Sequence, residues 1–179
     1  MKNPTFDRKH IMEYLLYGSI AAVLYMIPVL IFLSDNKFET LYYLYIGCGL
    51  FMAAIFFYTY RLLSHRYDEK RAVSMLMAGH LATLTGIIIS CILVFVAMLF
   101  FFPDLFSRMS SDQIIPGAPA QSRTGHPSEL LLMILATATL GNFFVGSFIS
   151  VIVAYAGKRD QTRDKPAHLE THIPAPKDN

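Results

Sequence analysis

The chain has 179 residues, 54% of them hydrophobic, a formal net charge of +2 and no Trp. Its mean hydropathy is +0.44. Four long stretches without Asp, Glu, Lys or Arg (residues 14–34, 40–60, 72–102 and 130–157) take up most of the length. They leave no room for a sizeable extramembrane catalytic domain and no platform for nucleic acid.

A hydrocarbon core of about 30 Å takes about 20 helical residues to cross, and each stretch is long enough. The sequence therefore predicts an all-α polytopic membrane protein, with four transmembrane helices in an antiparallel up-down bundle. Residues 1–10 read as a polar N-terminal segment, and the first helix as 11–33. Glu13 falls in its first turn, where the helix dipole favours a carboxylate. Pro28 removes one backbone bond and predicts a kink in the outer third. The basic start (Lys2, Arg8, Lys9) looks like the n-region of a signal peptide. The apolar stretch behind it exceeds the roughly 7–15 residues of a signal core, and no small-x-small site follows, so it is read as a retained span.

Residues 34–39 form a tight connection, which makes the first two helices a hairpin. The second helix reads as 40–63. Tyr42, Tyr43 and Tyr45 lie at one end, and Phe56, Phe57, Tyr58 and Tyr60 at the other, as expected for aromatic belts at the two membrane boundaries. A charged connection over 61–71 follows. The third helix, 72–102, is longer than one crossing requires, so it tilts or stands partly in the interface. Residues 104–129 are rich in Ser, Pro and Gly and read as a mobile loop, with a helical turn over 105–109. The fourth helix reads as 128–157. The tail, 158–179, is polar and Pro-containing and reads as disordered. Lys158 and Arg159 at its start are placed to lie on anionic lipid headgroups.

The cations are unevenly shared. If all four helices cross, 12 of the 15 Lys and Arg fall on the side of the termini and the 61–71 connection, and only Lys37, Arg108 and Arg123 on the other. Short basic loops stay in the cytoplasm, so both termini are expected there.

No charged residue lies deep in a span, which argues against proton relays, pumps and voltage sensors. His80 reads as an interfacial or packed histidine. Asn142 is the most central polar residue of the fourth helix, with Ser90 at similar depth on the third and Thr83 and Thr85 nearer the inner end. An amide there serves as interhelical glue or orients a ligand in a central cavity. Small residues recur along the fourth helix (Ala138, Asn142, Gly146, Ser150, Ala154) and the third (Gly79, Thr83, Gly86, Ser90, Ala97). Gly18 with Ala22 and Gly49 with Ala53 give shorter versions on helices one and two. Small residues let backbones approach closely in lipid, so helices three and four are expected to touch, although a homodimer seam fits the same pattern. Cys48 and Cys91 read as packed thiols at similar depth, compatible with a disulfide if helices two and three meet there. His168 and His172 have helical ligand spacing but lack partners, so neither a metal nor a cofactor is expected.

The run from Gly79 through Gly86 to Ser90, ending in aromatics and Pro103-Asp104, resembles small bacterial four-helix inner-membrane proteins. So does GNFFVGSFISVIVA, with Gly141, Gly146, Ser150 and Ala154 ahead of basic residues. The resemblance implies a multi-pass inner-membrane location and brings no activity with it. The Ser/Pro-rich loop after Asp104 and the presence of His80 depart from that pattern. The expected role is non-catalytic: structural, accessory or partner-binding, self-association included. The alternative is a small transporter or channel subunit with a polar midplane cavity. A membrane-embedded enzyme is less favoured, because no acid–base pair sits at one depth.

Overall fold

A computed structural model of the chain describes residues 8–35, 37–64, 72–102 and 127–163. The expectations for the N-terminal seven residues, for the loop that follows Phe102 with its 105–109 turn, and for the tail beyond Arg163 lie outside them.

Every regular element among the described residues is helical. Helix α1 spans Arg8–Asp35 without interruption and carries Pro28 inside it. A short 3-10 turn, Phe38–Leu41, leads into α2, Tyr42–Ser64. At this turn Lys37 pairs with Asp35 at 3.0 Å, and the Thr40 hydroxyl donates to the Lys37 carbonyl at 2.8 Å. Helix α3 is Ala72–Phe101. The last rod is built of α4, Pro127–Ala136, a π-helical turn, Thr137–Gly141, and α5, Asn142–Arg163. It runs six residues past the boundary read from the sequence. Lys, Arg and Gln are good helix formers, and the first proline beyond Gly157 is Pro166.

Four segments are long and apolar enough to cross a membrane: His10–Asp35, Phe38–Ser64, Met75–Phe101 and Glu129–Gly157. Large apolar side chains cover their outer faces, among them Tyr45, Phe57, Phe100, Phe144 and Phe148. Such a continuous apolar surface suits lipid and would be an aggregation liability in water. Among the described residues no Asp, Glu, Lys or Arg is buried.

Named contacts fix the directions. Tyr25 lies against Gly47 and Tyr17 against Tyr58, so α1 and α2 run antiparallel. Gly86 meets Phe51 and Gly79 meets Thr59, so α2 and α3 are antiparallel as well. Gly79 faces Ser150 and Gly146 faces Thr83, so α3 and α5 are antiparallel. Directions thus alternate along the chain, but the lateral order is not sequential. Helix α1 packs on α2 and α3, α5 packs on the same two, and α2 touches α3 between them. Among the described residues α1 and α5 share no extended contact. The bundle is a rhomb with α1 and the last rod at its far corners.

The buried core follows this arrangement. Tyr25, Val29 and Phe32 of α1, Phe51 and Ile55 of α2, Val94 and Met98 of α3, and Leu130 and Ile134 of α4 are all fully enclosed.

Candidate functional site in the bundle interior

Backbone groups inside lipid must be satisfied within the helices, so side-chain polar groups are what distinguish one interior from another. Most hydroxyls here fold back on their own helix. Thr59 donates to the Ile55 carbonyl at 2.9 Å, Thr83 to Gly79 at 2.8 Å, Thr85 to Leu81 at 2.8 Å and Ser150 to Gly146 at 2.7 Å. Such back-bonding satisfies the hydroxyl and presents the rest of the side chain to the neighbour.

The α3–α5 seam is built on that device. A Cβ on Gly79 would collide with Ser150 and lie 3.0 Å from Thr59 Cγ2; a Cβ on Gly146 would lie 2.5 Å from Thr83 Cγ2. Gly79, Gly146 and Ser150 are thus brought together in one three-helix contact with Thr59 and Thr83. Gly86 belongs elsewhere: a Cβ there would lie 2.7 Å from Phe51 Cε2 and 3.1 Å from the Gly18 carbonyl oxygen. The small residues of α3 therefore serve two different neighbours. His80 is half-buried and donates Nδ1–H to the Leu76 carbonyl of its own helix at 2.9 Å.

Asn142 and Ser90 differ from the back-bonded Thr59, Thr83, Thr85 and Ser150. Both are fully buried, and neither the Asn142 amide nor the Ser90 hydroxyl has a hydrogen-bond partner in the protein. They lie on α5 and α3, the two helices that meet in the seam of Gly79, Thr83, Gly146 and Ser150. The Tyr25 and Tyr58 hydroxyls and Ser147 Oγ are likewise buried and unbonded.

Immediately before Asn142 comes the π-turn, which the sequence reading passed over. Its signal was the Thr-Ala-Thr-Leu-Gly run. Thr137 and Thr139 donate to the Met133 and Leu135 carbonyls at 3.0 and 2.8 Å, a pairing that distorts helices locally. Gly141 leaves room for Cys48, whose Sγ would stand 3.0 Å from an added Cβ and which lies 4.0 Å from the Thr137 carbonyl. Cys48 and Cys91 are both free thiols. Single π-turns inside α-helices occur often at functional sites.

A second polar grouping lies where α1 and α2 meet at the opposite end from the 3-10 turn. Arg61 Nη1 donates to the Tyr17 hydroxyl at 2.9 Å, the Tyr17 ring sits 4.9 Å from Tyr58, and His10 faces Glu13 at 3.5 Å. The Tyr14 and Tyr17 positions follow the boundary preference of an amphipathic ring.

No known family model matches the chain, and neither does any curated protein or solved structure. The functional reading therefore rests on the bundle itself.

Proposed function

We propose that the protein is a non-catalytic membrane component that works by docking transmembrane helices, with a second copy of itself as the first partner. One observation carries this reading. Eight glycines lie in the described helices, and seven of them meet atoms of another helix within the bundle; Gly49 alone meets nothing. Gly49 and Ala53 are one turn apart on the outer face of α2, flanked by the exposed Tyr45, Ile46 and Phe56. A small-x-x-x-small pair facing outward gives a shallow notch in which a second helix can approach closely, and packing of this kind drives association in lipid. A two-fold dimer sets the same notch against itself, so a single face suffices.

We place both termini in the cytoplasm of a bacterial inner membrane. The 12-to-3 partition of Lys and Arg supports this orientation. In that orientation Lys158 and Arg159, next in sequence after the last apolar stretch, fall at the cytoplasmic headgroups, where a Lys or Arg contributes about 1 kcal/mol of attraction to anionic lipid.

Single cysteines stepped through α2 in a Cys48→Ala, Cys91→Ala background test the docking face. Crosslinks between copies should peak at positions 45, 49, 53 and 56, and Gly49→Leu should remove them. Crosslinks centred on α5, or none anywhere on α2, would remove the proposal.

A further inference from the structure

A threonine or serine in a spanning helix can satisfy itself on its own backbone, as Thr59, Thr83, Thr85 and Ser150 do. An asparagine amide cannot do so with both ends. Asn142 is 0% exposed with Oδ1 and Nδ2 both unbonded, and Ser90, also 0% exposed, leaves its hydroxyl unbonded where its neighbours do not. The seam contacts set their spacing. Gly79 faces Ser150 and Thr83 faces Gly146. One further turn along the seam puts Asn142 opposite position 87, about 4.5 Å along the axis from Ser90. Two unsatisfied polar groups from facing helices thus share one layer, beside the π-turn Thr137–Gly141. Enclosing an amide in an apolar medium without a partner is costly, and lipid provides none.

We propose that this layer binds a small uncharged molecule that both donates and accepts hydrogen bonds: water, or a neutral solute of the amide or polyol class. The amide of Asn142 supplies one donor face and one acceptor face, and the Ser90 hydroxyl supplies whichever the guest lacks. A charged guest fits poorly, because among the described residues no Asp, Glu, Lys or Arg is buried to balance it. The binding is independent of the α2 docking face, which lies on the outside of the bundle.

The direct test is a structure of the wild-type chain in lipid nanodiscs, detailed enough to show ordered solvent, with and without acetamide. Density is expected within hydrogen-bond distance, about 3 Å, of the Asn142 amide. Density already present without acetamide identifies resident water. Density that appears with acetamide, together with a rise in unfolding temperature that Asn142→Leu and Ser90→Ala each abolish, identifies a solute. An amide fully bonded to protein groups, with no density in either condition and no thermal shift, overturns the proposal.

Discussion

Thr83 fills the space that a side chain on Gly146 would need: an added Cβ would lie 2.5 Å from Thr83 Cγ2 and 2.6 Å from its Oγ1. Thr83 cannot readily swing away, because it is β-branched and its hydroxyl is tied to the Gly79 carbonyl at 2.8 Å. Gly146→Ala should therefore destabilise the bundle by about 1–3 kcal/mol, the range for overpacking a filled site. Unfolding in mixed micelles measures it. Combining the change with Thr83→Ala should restore much of the loss, because the two residues share one contact. Gly49→Ala, at a glycine with open space beside it, is the control and should leave the monomer's stability nearly unchanged.

Tyr17 is held by two interactions of different kinds, the Arg61 hydrogen bond at 2.9 Å and the Tyr58 ring at 4.9 Å. The hydrogen bond is exposed, so Tyr17→Phe should cost less than about 1 kcal/mol. Tyr17→Ala also loses the ring pair, worth about 0.5–1.5 kcal/mol beyond area burial, and should cost clearly more. Equal losses in the two variants would assign the contribution to the hydroxyl instead.

Asn142→Leu removes the amide and its hydrogen-bonding demand together, so its stability should stay within about 1 kcal/mol of wild type. Asn142→Asp keeps the size but brings in an ionisable group near mid-membrane, and should lose about 2.5–3.5 kcal/mol. The same mixed-micelle titration separates the two, and a harmless Asp would mean that water reaches the layer freely.

Orientation is checked from outside. In the Cys48→Ala, Cys91→Ala background, Gln121→Cys should react with an impermeant thiol reagent in intact cells. Reaction only after lysis would invert the placement of the loops.

The spans were legible because their composition leaves few alternatives: a run such as Ala72–Phe101 carries no Asp, Glu, Lys or Arg. Asn142 was legible too, as an amide near the middle of such a run. Lateral order was not. Gly79 and Gly86 both belong to the small-residue pattern of α3, yet one meets α5 and α2 and the other α1 and α2. Spacing marks which positions are small and leaves open which neighbour arrives there. Gly49 shows the same limit from the other side, since its four-residue partner Ala53 gives it the look of an inward seam while it points out of the bundle. The π-turn needed attention to hydroxyls that claim carbonyls on their own helix, a signal carried by only two threonines.

The rhomb has a consequence for how the chain can be divided. Helix α1 and the final rod each lean on the same central pair, so the two hairpins clasp one another along their lengths. Cut between Ser64 and Ala72, the halves would each retain an internal antiparallel pair, while α1 and the last rod lose one of two neighbours and α2 and α3 lose two of three. Expressed together from separate messages, they hold the complementary surfaces needed to find each other within the bilayer.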